Sequence, residues 1–198
     1  MKWFVRMTAI AALIAIAASG SLLAQDLVTD SNAVIYEGAR LSYVMAAPVG
    51  FVLEMAESQI DDYSFAFVPE GETYTEATVL IGVTIYSLND STGNRGSAER
   101  IMQMDTSGMR DHFGQTLSIR PLEAVTNATG QPVIVFYLED KTRFMPNVMT
   151  GYFDGTEELV ILELIITPDF PRFLAEDAFM EALDSFKTLV QGSLTKQR

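Results

Sequence analysis

Leu159-Val160-Ile161-Leu162-Glu163-Leu164-Ile165-Ile166-Thr167 is the stretch on which the fold turns. Side chains alternate across a strand, so Val160, Leu162, Leu164 and Ile166 make one apolar face, and Leu159, Ile161, Glu163 and Ile165 make the other. Hydrophobicity on both faces belongs to a central strand with cover on each side, and the β-branched content favours a strand over a buried helix. Downstream, Asp169 is the expected N-cap, with Pro171 in the first turn, where a missing N–H loses no intrahelical bond. Phe179, Leu183, Phe186 and Val190 follow at spacings of four, three and four, which predicts one helical face running to Val190. Glu176, Asp177, Glu181, Asp184 and Lys187 fill the rest, acids early and a base late, as the helix dipole favours. The expectation is a helix lying across the sheet.

Working back along the chain, Gln25–Asn32 reads as a polar lead. Ala33–Tyr36, Leu41–Met45 and Phe51–Met55 read as short strands, with turns at Glu37-Gly38 and Pro48-Val49-Gly50. Tyr63–Val68 alternates Tyr63, Phe65 and Phe67 against Ser64 and Ala66, the pattern of a half-buried strand. Pro69-Glu70-Gly71-Glu72 is an acidic turn, and Thr78–Tyr86 follows as a strand with Val79, Ile81, Val83 and Ile85 inward. Ser87–Gly96 is rich in turn formers, without the ligand spacing of a calcium loop. Ser97 caps a helix expected over Ala98–Phe113, whose stripe is Ala98, Met102, Met109 and Phe113. Leu117–Val125, Val133–Leu138 and Met149–Phe153 read as strands, and Asp154-Gly155-Thr156 turns the last of these into Leu159–Thr167 as a hairpin. Strands, a helix, more strands and a closing helix make an α+β fold, an antiparallel β-sheet flanked by helices.

The first 24 residues stand apart. Lys2 and Arg6 precede the apolar run Met7–Ala18, and Ser19-Gly20-Ser21-Leu22-Leu23-Ala24 supplies a cleavage region, the plan of a secretory signal peptide. An uncleaved anchor is the alternative, weakened by the polar break at Ser19-Gly20-Ser21. Residues 25–198 then form a single α+β domain, and no other segment is apolar for long enough to cross a bilayer. The whole chain carries a net charge of −13, and removing the leader with its two bases takes this to −15. Such acidity opposes nucleic acid or an anionic membrane as a partner, since both require basic patches. There is no cysteine, hence no disulfide, no thiolate metal site and no cysteine nucleophile. A periplasmic or secreted protein is the expectation.

Pro48-Val49-Gly50-Phe51, Phe65-Ala66-Phe67-Val68-Pro69, the unit around Ser97–Phe113, and the closing Gly151-Tyr152-Phe153, Leu159–Thr167 and Phe179–Val190 together resemble the PsbP-like α/β/α sandwich. Extrinsic photosystem II subunits, a yeast nuclear-import factor and bacterial envelope proteins of the DcrB type share that fold. The resemblance covers most of the chain after residue 24. It implies a fold used for binding or accessory roles and brings no catalytic signature with it.

Residue chemistry points the same way. His112 is the single histidine, and a hydrolase would need it in contact with Asp105, which the helical phase places on the same side; no Gly-x-Ser-x-Gly nucleophile motif accompanies it. Glu163 lies mid-strand on an apolar face, where it needs a partner or a rim position. Asp61-Asp62, Glu139-Asp140 and Glu157-Glu158 fall in or near turns and read as solvated. Met102, Met104, Met109, Met145 and Met149 read as core filling, with a copper(I) thioether site as the sharper alternative. Arg143, Phe144 and Met145 are the expected partner-binding residues, because Arg, aromatic and Met side chains are enriched in interface cores. The reading is a non-catalytic binding or accessory protein that contacts another envelope protein, with no cofactor and no metal. A small-ligand or cation carrier is the alternative, and a hydrolase using His112 the third.

Overall fold

The computed structural model describes residues 28–30, 33–37, 41–55, 57–61, 63–88, 96–122, 125–140, 147–155 and 158–190. The expected leader and the Arg143–Met145 segment lie outside these residues. Among them run twelve strands and two α-helices: β1 Val28–Asp30, β2 Ala33–Glu37, β3 Leu41–Ala46, β4 Phe51–Glu54, β5 Phe65–Pro69, β6 Val79–Ser87, α1 Ala98–Phe113, β7 Leu117–Pro121, β8 Val125–Thr126, β9 Pro132–Asp140, β10 Asn147–Asp154, β11 Glu158–Ile166, α2 Arg172–Ser185 and β12 Lys187–Val190. All pairings are antiparallel, and the fold is α+β.

The quoted stretch is β11, at the middle of an eight-stranded sheet of order β4-β5-β6-β11-β10-β9-β7, with β8 on β9. It pairs with β6 from Glu158↔Ser87 to Ile166↔Val79, and with β10 through the predicted hairpin, closed by the Gly155 N–H donating to the Glu158 carbonyl at 2.9 Å. Both faces are covered, as the two-sided hydrophobicity requires. On one face Val160, Leu162 and Leu164 join Phe65, Phe67, Val79, Ile81, Val83 and Phe153 in a core closed by Ala175, Ala178, Phe179, Ala182 and Leu183 of α2. The alanines bring α2 close to the sheet: a Cβ on Gly151 of β10 would stand 3.3 Å from the Phe179 ring. On the other face Leu159, Ile161 and Tyr152 pack with Ala98 and Met102 of α1, and Leu117 and Leu138 pack with Met109. α1 has the predicted limits, and its first turn is capped by the Ser97 hydroxyl, which accepts from the Arg100 N–H at 3.3 Å.

Five expectations are corrected. The closing helix does not reach Val190. Ser185 ends it, because its hydroxyl accepts from the Ala46 N–H of β3 at 3.0 Å, and the chain then pairs as β12 with β3, Lys187↔Val44 onward. Phe186 leaves the helix with extended ψ and stacks between Tyr43 and Phe153, at ring separations of 5.3 and 4.2 Å. Secondly, β1, β2, β3 and β12 form a separate four-stranded sheet. Its Val34, Tyr43 and Met45 share the core with α2.

Asp169 is not the N-cap. It lies in a turn closed by the Phe170 N–H on the Thr167 carbonyl at 3.2 Å, and Pro171 occupies the cap position. Finally, Tyr63 does not share a face with Phe65 and Phe67. The strand begins at Phe65, and Tyr63 packs with Ala66, Val68, Tyr74 and Leu80 on the α1 side. Ala66 and Val68 are buried as well, so β5 is covered on both faces. The run Leu117–Val125 also breaks after Pro121, and Val125–Thr126 pairs β9 on its own.

Candidate functional site

The residues singled out in the sequence fall in different places. Arg143, Phe144 and Met145 lie outside the described residues. His112 is exposed near the end of α1, its ring edge-on to Phe113 at 4.8 Å. Asp105 is engaged by the Tyr152 hydroxyl from the sheet. Among the described residues these methionines are dispersed: Met102 and Met109 pack in separate clusters under α1, Met149 lies in the core on the opposite face of the sheet, and Met104 is 52% exposed.

One surface does collect interface-type residues, at the start of α2. Arg172, the first helical residue, directs its guanidinium over the Tyr137 ring of β9, with Cζ 4.4 Å from the centroid. Arg120 of β7, which pairs with Tyr137 in the sheet, lies over the same ring at 5.2 Å. Glu176 fixes the arrangement: its Oε1 accepts from Arg172 Nε at 2.8 Å and from the Tyr137 hydroxyl at 2.5 Å. Burial, and then the bond to Glu176, push the Tyr137 phenol up to about 12, with Arg172 opposing, so Tyr137 remains a neutral donor at neutral pH. Next to Arg172, Phe173 and Leu174 are 64% and 47% exposed. Two guanidinium–ring contacts in so acidic a chain hold the cations in place and leave two large apolar side chains in solvent beside them.

This surface was legible in part. With Phe179 and Leu183 inward, about 100° per residue puts Phe173 and Leu174 roughly 120° and 140° around the helix from Phe179, hence outward. The convergence of Arg120 and Tyr137 had no local signal, because it comes from β7–β9 pairing.

A second group lies on the α1 face of the large sheet. Glu163 accepts from the Tyr63 hydroxyl at 2.7 Å, and Asp61 accepts from Tyr74 at 2.7 Å. Asp61, read from the sequence as solvated, is thus half-buried and paired; with Tyr152–Asp105 there are three tyrosine–carboxylate bonds on this face. Burial, followed by the neighbouring Glu163 charge, holds the Tyr63 phenol well above its usual range. Burial and the bond to Asp61 do the same to Tyr74, and burial and Asp105 do it to Tyr152. Burial also raises the Asp105 carboxyl, while the Tyr152 bond opposes it. The three phenols are fixed donors.

No family model matches the chain, and no curated protein matches it. Among solved structures, the chain is similar to the solution structure of cyanobacterial PsbP (CyanoP) from Synechocystis sp. PCC 6803, at 13% identity and a TM-score of 0.46, over 86% of this chain and 100% of that one. No helix of the described residues is long and apolar enough to cross a membrane. Strand order, the antiparallel pairing and the two helices identify the class of this chain as α+β.

Proposed function

We propose that this chain is a non-catalytic binding or accessory protein, of the PsbP-like sandwich type found in DcrB-like envelope proteins, that works outside the cytoplasm by contacting another protein. The observation that carries the reading is the surface at the start of α2, where Arg172, Phe173 and Leu174 are contiguous and Arg120 and Tyr137 adjoin them. Tyrosine, arginine and exposed large apolar side chains are the composition of an interface centre, and arginine and tyrosine are over-represented among residues that dominate binding energy. The rigid Arg172–Glu176–Tyr137 arrangement lowers the ordering cost of binding.

The test is crosslinking from envelope extract with the wild type, Phe173→Ala/Leu174→Ala, Phe144→Ala and His112→Ala. Phe173 and Leu174 are exposed, so their removal leaves the fold intact. The expected result is one abundant partner, lost from the double variant and retained by His112→Ala, with a loss of at least about 2 kcal/mol, the size of a hot spot. A partner lost only from Phe144→Ala would move the interface to the Arg143–Met145 segment. A partner retained by every variant would overturn the surface reading.

A further inference from the structure

Arg120 and Arg172 share the Tyr137 ring, but their charges are used differently. Arg172 is tied to Glu176, whose Oε1 accepts from its Nε at 2.8 Å. Arg120 is exposed on β7, the strand at one edge of the large sheet, and its guanidinium lies over the ring. Among the described residues, no carboxylate, carbonyl or side-chain oxygen accepts a bond from that guanidinium. Acids outnumber bases 26 to 13 in this chain, so an arginine without one is a charge the fold does not consume. A guanidinium offers five N–H donors in a planar fork that matches a carboxylate. Resting on the ring restricts its rotamers in advance, which lowers the ordering cost of binding.

The neighbours set what kind of anion fits. Phe173 and Leu174, 64% and 47% exposed, adjoin Arg172 on the far side of the ring from β7. The two guanidinium carbons are 5.2 and 4.4 Å from one centroid, so a few residues of extended chain, at about 3.3 Å each, reach from one to the other. Acids rim the surface. Asp169 and Asp177 are exposed before and after the apolar pair, and Glu139, exposed two positions along β9, acts on the Tyr137 phenol. This rim repels an acidic run, a nucleic acid or an anionic membrane, whereas one carboxylate placed at Arg120 meets a cation.

We propose that the partner contacts this surface through a segment that carries a single aspartate or glutamate within a few residues of large apolar side chains. The carboxylate sits on Arg120, and the apolar groups cover Phe173 and Leu174. The inference rests on the reading of the start of α2 as a protein contact and adds the chemistry of what is contacted. Arg172 and Glu176 hold the Tyr137 ring in place, and Arg120 reads the charge.

The experiment titrates the full chain with the peptide acetyl-Ser-Glu-Ser-Leu-Phe-Ser-amide, with its counterparts bearing Gln or Lys in place of Glu, and with acetyl-Glu-Glu-Glu-Leu-Phe-Ser-amide, at matched ionic strength. The readout is the nuclear magnetic resonance signals of the Arg120 Nε–H and the Phe173 and Leu174 amides. Saturable shifts at all three are expected with the single-Glu peptide, about tenfold weaker with Gln, the factor for one hydrogen bond to a charged group, and weaker again with Lys. Arg120→Gln, an exposed change on an edge strand, should bring the Glu peptide down to the level of the Gln peptide. Phe173→Ala/Leu174→Ala should abolish the binding of every peptide. Equal binding of the Glu, Gln and Lys peptides at Phe173 and Leu174 would overturn the carboxylate assignment while the surface itself stands. Tighter binding of the triple-Glu peptide would overturn it in favour of a polyanionic partner. No response to any peptide would also overturn the inference, and the crosslinking result then decides the surface separately.

Discussion

Gly82→Ala is a one-carbon change with a large expected cost, and the geometry says why. The added Cβ would stand 2.4, 2.5 and 2.7 Å from Cε1, Cζ and Cδ1 of Tyr63, inside the ring's van der Waals surface. β6 is held on both sides, by Phe67↔Ile81 through Phe65↔Val83 on β5 and by the whole length of β11, so the backbone does not yield. The Tyr63 ring must move, and its bond to Glu163 goes with it. Overpacking a filled core costs about 1–3 kcal/mol. Losing a hydrogen bond to a charged group costs about 1.5–3 kcal/mol. Replacing glycine within a strand returns about 0.5–1 kcal/mol. The net is roughly 2–5 kcal/mol, which at about 2–4 °C per kcal/mol lowers the melting temperature by about 4–20 °C. Urea unfolding should show a lower midpoint at unchanged slope. The decisive comparison is the same substitution in a Tyr63→Ala background, where the ring is gone and the cost should fall below about 1 kcal/mol. An equal cost in both backgrounds would refute the account.

Three further outcomes follow from single contacts. Asn127 is 4% exposed; its amide donates to the Phe186 carbonyl at 2.8 Å and its Oδ1 accepts from the N–H groups of Thr129 and Gln131, so Asn127→Ala strands several groups and should cost about 3 kcal/mol in urea unfolding. Asp105 has its carboxyl raised in the folded state by burial, so the folded protein binds more protons there than the unfolded chain. The associated stability is complete below the unfolded value and is lost as pH rises through the raised folded value; Asp105→Asn should flatten that fall, and an unchanged pH–stability profile would contradict it. Glu176→Gln should lower the Tyr137 pKa from about 12, because the variant removes the negative charge that stabilises the protonated phenol, and a phenolate absorbance titration reads the change directly.

The sequence-level reading succeeded where one short window contains the cause. β11 was legible because its own residues are apolar on both faces, and α1 because Ser97 and the Ala98, Met102 and Met109 stripe lie within one segment. It failed at Phe186, which continues the helical spacing of Phe179 and Leu183 yet packs as an extended residue between Tyr43 and Phe153. The pull on the chain there comes from β3, about 140 positions upstream, through Ser185 and Ala46. Tyr63 failed for the same reason: its alternation matches Phe65 and Phe67, but the space that receives it is created by Gly82 on another strand.

Local pattern alone therefore determined that this is an α+β chain with a doubly covered central strand, an acidic surface and no cysteine chemistry. Periodicity and composition act within a few residues, and they set which elements form and which faces turn inward. Tertiary structure alone decided the separate sheet made from the first strands and the last. It also set Arg120 and Arg172 on one tyrosine ring, and Thr150 beside Glu163. Those arrangements depend on strand register and on contacts between distant segments, and one residue of slip would send every side chain of a strand to the other face.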